Sequence, residues 1–497
     1  MLHPEATDAT APVASGVSRD WSFVVTQLDP TRRQPAALEP AAFEAAAAPD
    51  QGSDAAHPRG GVRELVLLAY PVVLTHLSGS AMHVVDSIMV GRLGATELAA
   101  VGYGGIWLWT ALTLFIGTAT GVQTFVSQAD GAGDHHLCGR WTWQGFYAVA
   151  PITVLGVVVF VSVFPSLLAL LGPSDGLREH ALAYVEWRAL GCLGLGTFMV
   201  LSSFFRGIGD TRTPLLASLL ATSLNVVADY ALIFGKLGFP AWGVAGAGAA
   251  TALAECTGAA VLWFAYRRRK FARFATGPVA PSRIDMARFL RTSMPIGGQW
   301  FIEMSSFALF STLVALMGDA SMAASQALIA LLSLSFMQAV GIGIAAATLV
   351  GRYVGAQDPP SAERTHRHAL ALGCLLATGV ALLLLSAPEL LIRLFTSDPD
   401  VIRLGAPLVR LGALVQVFDA LNIIASGSLR GAGDTRWPFA AQSLVAWCVS
   451  LPLAWVGGVW LGHGVLGAWA ALAVGMSVLT VVLLLRFRSG AWKHVRI

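Results

Sequence analysis

Long stretches of this chain carry no charged side chain. Runs free of Asp, Glu, Lys and Arg include residues 65–85, 98–129, 141–174, 320–351, 369–388, 437–462 and 464–485. About 20 consecutive apolar residues suffice for a helix to cross a bilayer. The pattern predicts helical spans over residues 63–90, 97–128, 140–164, 181–205, 213–235 and 243–266. After a basic break it predicts six more, over 292–317, 321–350, 368–387, 405–429, 437–460 and 464–485. The fourth to sixth spans are rich in Gly and Ala and are the least apolar of the set. The predicted fold is therefore an all-α, polytopic membrane protein with twelve transmembrane helices.

The six-plus-six arrangement coincides with an internal repeat, the first thing to seek in a chain of this length. Residues 206–214 read RGIGDTRTP and residues 430–438 read RGAGDTRWP, identical at seven of nine positions and 224 residues apart. The same shift pairs Pro71 with Pro295, Gly94 with Gly318, Gly117 with Gly341 and Thr124 with Thr348, and it carries Gly131 to Gly355 and Asp134 to Asp358. Register kept over so long a stretch indicates a tandem duplication. Six spans per unit make the two halves parallel, a recurrent plan among transporters. The expected organisation is a disordered tail over 1–60, an N-lobe over 61–266, a basic linker over 267–291, a C-lobe over 292–486 and a short tail over 487–497.

Composition agrees with a membrane protein. The chain has 497 residues, of which 55% are hydrophobic and only 12% charged, against about a quarter charged in soluble proteins. A soluble protein of this size would need far more polar surface. The five cysteines (138, 192, 256, 374 and 448) are scattered without metal or redox spacing, so they read as small apolar packing residues. Net charge is +3, and its placement says more than its sum. Cytoplasmic loops concentrate Lys and Arg. Placing the 267–291 loop inside puts 22 basic residues on that side and six on the other. Both termini are thus expected in the cytoplasm, with the protein in the plasma (inner) membrane. The twin signature then lies at the cytoplasmic mouth. Its glycines permit tight turns, its proline opens the following helix, and its Asp and Arg are expected to pair or cap helix ends within each lobe.

Ionisable residues inside spans cost about 2.5–3.5 kcal/mol each on insertion scales, so the few present are informative. They are Asp86, Asp229, Glu255, Glu303 and Asp419, with His76, His83, Glu186 and Arg188 nearer span ends. A rise of about 1.5 Å per residue puts Glu303 roughly 18 Å and Asp419 roughly 16 Å from the cytoplasmic side. Asp86 and Asp229 fall deeper, at about 24–35 Å, in the outer half. Asn225 precedes Asp229 by one turn and shares its face. The acids do not follow the repeat, since Asp86 corresponds to Phe310, Glu303 to Gly79 and Asp419 to Leu195. The scaffold is duplicated and the polar sites are not. Buried carboxylates respond to desolvation and to neighbouring cations, so Asp86, Asn225 and Asp229 could hold a proton or Na⁺. Trp107, Trp109, Trp300 and Phe301 could stack on an organic cation or belong to the interfacial aromatic belt.

These residues resemble the multidrug and toxic compound extrusion (MATE) family. The resemblance covers residues 62–486 and is carried by Pro71 with VVDSIMVGRLGATELAAVG (84–102), NVVADYALIFG (225–235), FIEMSSFALF (301–310) and FDALNIIASGSLRGAGDTRWP (418–438). It implies two six-helix lobes in a V-shaped, rocking exchanger of the NorM-like, bacterial type. It also implies export of cationic or amphipathic organic compounds against H⁺ or Na⁺, with no cofactor, no nucleic-acid partner and a monomeric state in the lipid bilayer. By position, the resemblance assigns Asp86, Asn225, Asp229 and Thr251 to coupling-ion or proton binding. It assigns Glu303 and Asp419 to a substrate or second cation site. The NorM-like branch often carries a tyrosine one turn before the aspartate, where this chain has Val415. A flippase for lipid-linked precursors is the alternative on a related fold. It would call for a basic cavity, whereas the mid-span charges here are acidic apart from Arg188. A membrane-embedded enzyme is disfavoured, because no metal motif, nucleophile elbow or phosphate loop lies in the spans.

Overall fold

The computed structural model describes residues 60–171, 174–495 and 497. The tail expected over residues 1–60 lies, apart from Gly60, outside the described residues. Helices account for nearly all of the rest. The first half comprises α1 (Val62–Gly91), α2 (Ala95–Gly131), α3 (His135–Leu171), α4 (Asp175–Leu190), α5 (Cys192–Gly207), α6 (Arg212–Phe234) and α7 (Val244–Tyr266). The second comprises α8 (Arg283–Ala315), α9 (Asp319–Gly355), α10 (Pro359–Ser386), the short α11 (Pro388–Arg393) and α12 (Pro399–Gly431). It ends with α13 (Arg436–Val445), α14 (Leu451–Trp455) and α15 (Gly464–Arg488). Two π-helical turns join α13 and α14 into one rod ending at Trp460.

Among the described residues ten rods are long and apolar enough to span a membrane, and α4 with α5 makes an eleventh, bent by 45°. The twelfth is α8, 33 residues long but less apolar, because arginines crowd its first turns and Glu303 lies within it. Among the described residues, side chains cap the starts of three of these helices. Asp358 accepts from the Ser361 amide and Asp398 from the amides of Asp400 and Val401, each with a proline at the first helical position. Ser282 accepts from the Asp285 amide at the start of α8.

The duplication extends to the helix ends. Helix α2 starts at Ala95 and ends at Gly131, and its counterpart α9 starts at Asp319 and ends at Gly355, 224 residues on at both ends. The pair α4–α5 maps onto α12 in the same way, but α12 is unbroken. The difference resides at Gly191. A Cβ there would come within 2.6 Å of the Ala252 Cα on α7, whereas the equivalent Val415 packs inside a continuous helix.

Each half lends its first helix to the other. Helix α8 packs mainly on α2 of the first half, and α1 packs on α9 of the second as closely as on its own α6. Glycines allow the crossing: a Cβ on Gly117 would lie 2.6 Å from the Gly297 Cα, and Gly341, its repeat equivalent, meets the side chain of Val73. The hydrogen bonds between the halves gather toward the end of the molecule that carries the twin signature. The Thr124 hydroxyl donates to the Arg430 carbonyl at 3.0 Å, and the Thr348 hydroxyl to the Arg206 carbonyl at 3.1 Å. These bonds are repeat equivalents of each other. Gln123 donates to Thr348 and the Ile344 carbonyl, Gln128 to the Gly431 carbonyl, and Arg352 pairs with Asp130 at 3.2 Å.

The signature does more than order each lobe. Asp210 caps its own helix, accepting from the Thr213 amide and hydroxyl, and Asp434 pairs with Arg486 of α15 in its own lobe. Its arginine carbonyls are in addition the points where the opposite lobe docks. The stretch 267–291 is also no simple loop. It contains a 3₁₀ turn (Arg269–Phe274) and the first turns of α8. Phe271 and Phe274 are buried in the first half. Gln144 and Tyr147 of α3 donate to the carbonyls of Ala280 and Val279.

Replacing Thr124 and Thr348 together by valine removes both reciprocal bonds. At about 1 kcal/mol net apiece, this makes separation of the signature ends roughly thirtyfold more favourable. Maleimide labelling of a cysteine introduced at Ser127, which is buried against Gly351, should accelerate accordingly. An unchanged labelling rate would show that these bonds do not hold the ends together.

Candidate functional site

Three helices of the first half bring four polar residues together near the end opposite the signature. Asp86 lies five residues before the end of α1, and Asp229 five before the end of α6. Asn225 is one turn ahead of Asp229, and Thr251 lies on α7. Close packing of α6 on α7 requires Gly246, where a Cβ would meet the Leu232 carbonyl at 2.7 Å.

The four are buried, Asn225, Asp229 and Thr251 fully so. With its amide oriented to donate, Asn225 reaches Asp86 Oδ1 at 2.9 Å and Asp229 Oδ2 at 3.3 Å. The Thr251 hydroxyl lies 3.3 Å from Asp86 Oδ2 and also donates to the Ala247 carbonyl. Asp229 Oδ1 has no hydrogen-bond partner among the described residues. Two carboxylates sharing one site resist simultaneous ionisation, since like charges in a low dielectric repel strongly. Such a site takes up a proton or a cation. Its carboxylate and hydroxyl oxygens are hard donors, which suit H⁺ or an alkali cation rather than a soft transition metal. Among the described residues no group of three or more His, Cys, Asp or Glu is arranged to hold a metal ion.

A polar seam leads to this cluster. Ser78 and Thr222 hydroxyls are 2.9 Å apart, and Ser218 donates to the Thr75 carbonyl, so α1 and α6 are joined by hydroxyl contacts below the acids. On α6 the seam is Ser218, Thr222, Asn225 and Asp229, one face of a helix. Sequence reasoning missed the hydroxyl members. Their helical spacing from the acids was the available signal, but Ser and Thr are common in such helices and do not stand out singly.

The reading also placed Arg188 near a span end and gave Glu255 no partner. The structure joins them in a buried, forked ion pair, with one bond of 2.6 Å. Arg188 is interior because span four breaks at Gly191, three residues beyond it, a feature hydropathy does not reveal.

The second half presents its acids differently. Glu303 on α8 and Asp419 on α12 are half-buried and within electrostatic reach of each other, but no hydrogen bond joins them. Arg430 of the signature acts on Glu303 from farther down α12. One turn from Glu303, Gln299 donates to Ser426 at 3.2 Å and ties α8 to α12. Gln299 Oε1, Asn422 Oδ1 and Gln416 Nε2 lack partners among the described residues, leaving polar capacity around this pair. Val415 is buried and contributes none. Trp107 and Trp300 pack against apolar clusters, whereas Trp109 and Phe301 are exposed, so the four aromatics do not form a common cage. All five cysteines are free. Cys138 and Cys192 are buried; Cys256 is exposed but packs against Gly194, and Cys448 is exposed.

Relatives and solved structures share this architecture. A probable multidrug resistance protein NorM of Thermotoga maritima is 30% identical over 437 residues, covering 87% of this chain and 93% of that protein. Another protein of that description, from Idiomarina loihiensis, is 31% identical over 452 residues, covering 88% and 96%. The fold matches the outward-facing conformation of a multidrug resistance MATE family transporter of the MOP superfamily (TM-score 0.81, 20% identity, 88% of this chain and 98% of that one). It also matches the eukaryotic MATE transporter AtDTX14 (TM-score 0.77, 22% identity, covering 87% and 96%). The MatE family model matches twice, over residues 71–231 and 295–456, starting 224 residues apart like the twin signature. With one match in each half of a duplicated, multi-pass helical bundle, the chain belongs to the MatE, or multidrug and toxic compound extrusion, family.

Proposed function

We propose that this protein is a secondary active exporter of cationic or amphipathic organic compounds, driven by inward H⁺ or Na⁺. The observation that carries the reading is the buried Asp86–Asn225–Asp229–Thr251 cluster. In the duplicated scaffold Asp86, Asn225 and Asp229 correspond to Phe310, Val449 and Leu453, and Thr251 to Leu472 (GVAGAGAAT, 243–251, matching GVLGAWAAL, 464–472), so the fold itself does not demand polar groups there. A cluster kept at such a cost in hydrocarbon is a functional expectation by default. The family membership and the relatives described as multidrug resistance proteins support the same reading.

In the proposed cycle, coupling H⁺ or Na⁺ fills the N-lobe cluster, while Glu303 and Asp419 attract an organic cation in the C-lobe. The excess of Lys and Arg on the signature side supports placing that face, and both termini, in the cytoplasm. The reciprocal threonine bonds then close the cytoplasmic end, leaving the lobes free to part on the outside. Breaking those bonds and closing the outer end completes alternating access. A flippase for lipid-linked precursors gains nothing from the structure, because the in-span Arg188 is committed to Glu255.

Ethidium efflux from proteoliposomes under imposed pH or Na⁺ gradients tests the reading and identifies the coupling ion. Transport indifferent to both gradients would sink it. Asp86→Asn should cut gradient-driven efflux by at least about tenfold, since it removes a buried charge with two hydrogen-bonded partners.

Glu303→Gln and Asp419→Asn should weaken ethidium binding by about ten- to a hundredfold, the range for losing a charged partner. Binding of an uncharged substrate should change little. Unaltered ethidium affinity in both variants would assign these acids to structure.

A further inference from the structure

The ion pair between Arg188 and Glu255 is not used in the cycle above, although it adjoins the acid cluster. Its two side chains are 6% and 9% exposed, and the guanidinium grips both carboxylate oxygens. Glu255 follows Thr251 by one turn on α7, so the two lie on the same helix face. Two glycines press α4 onto α7 around the pair. A Cβ on Gly248 would meet the Tyr184 carbonyl at 2.6 Å and the Arg188 amide at 3.2 Å, and one on Gly191 would meet Glu255 Oε2 at 2.8 Å. His83, one turn before Asp86, experiences the charges of both Asp86 and Arg188.

The duplication supplies an internal control. Arg188 corresponds to Gly412 by the 224-residue shift; over the last helix the shift is 221, because GVAGAGAA (243–250) matches GVLGAWAA (464–471), and Glu255 corresponds to Met476. Neither equivalent carries a charge, and the C-lobe folds without an ion pair at this place. Helix packing at this place therefore does not call for charge. A buried ion pair is also poor evidence of stabilisation, because desolvation offsets its Coulombic gain. The pair is confined to the lobe that holds the Asp86–Asp229 cluster, one turn from a residue that touches Asp86.

We propose that Arg188 and Glu255 are positioning residues for the N-lobe ion site. The fork fixes the rotation of α7 against the broken fourth span, and so holds the Thr251 hydroxyl on Asp86. The pair acts on the ion through Thr251 and does not touch the drug. This inference rests on the reading of the cluster as the coupling site.

The test is the double variant Arg188→Met with Glu255→Leu, apolar at both positions as in the C-lobe, in the full chain reconstituted in proteoliposomes. The expected result is a Tm no lower than that of the parent, an ethidium Kd within about twofold, and gradient-driven ethidium transport reduced by about ten- to a hundredfold. That is the range for removing an outer-shell partner of an ion site. The concentration of coupling ion giving half-maximal rate should rise in parallel. Transport within about twofold of the parent would overturn the proposal. So would a parallel fall in Tm, ethidium affinity and transport, or failure to fold, since each marks a structural role. Asp86→Asn serves as the control: if it transports normally, the coupling-site reading itself has failed. If it is inactive while the double variant is active, only the positioning role is lost.

Discussion

Hydrocarbon offers no hydrogen bonds, and that single constraint shapes this molecule at every scale. Backbone groups must be satisfied within each segment, which leaves helices as the only spanning elements. Side-chain polarity is tolerated where a partner is built in. Thr124 and Thr348 donate to helix-end carbonyls, Arg188 is met by Glu255, and Asp86 and Asp229 are met by Asn225 and Thr251. Without a hydrophobic drive between helices, close approach depends on small residues. Gly117, Gly297 and Gly341 occupy the crossing of the two halves for that reason.

The two halves share one backbone plan and differ in chemistry. Their helix ends correspond at a constant 224-residue shift through α2 and α9, and their docking bonds are equivalent by the same shift. The symmetric parts hold the lobes to each other and lie at the signature end. The asymmetric parts lie farther along the same helices: the buried cluster and ion pair in the first half, and the half-buried Glu303 and Asp419 in the second. A two-state rocking motion needs a repeated frame, because equivalent contacts must be able to open and close. The polar residues that differ between the lobes lie where the copies diverged.

The twelve spans, the duplication and the family were legible in the chain itself. So were Asp86 and Asp229, since a charged residue in a long apolar run stands out by its cost, and Asn225 by its one-turn spacing from Asp229; Thr251 came only from the resemblance to the family. The partnership of Arg188 with Glu255 was not legible. They are 67 residues apart, and their meeting depends on a 45° break at Gly191 that is dictated by the approach of α7, not by local propensity. The docking role of the signature was hidden similarly, because its atoms in contact are carbonyls, which every residue possesses.

The sequence by itself determined the number of spans, their parallel duplication and the identity of the intramembrane acids. Each of these follows from the cost of placing a given side chain in lipid, which is a property of one position at a time. Only the tertiary structure decided which polar groups meet. It showed the RG-x-GDTR-x-P pair to be a seam between the lobes as well as a brace within each, and it gave Glu255 its partner. Those outcomes depend on helix rotation and on sub-ångström clearance at glycines, quantities set by the neighbouring helix and absent from the residue that faces it.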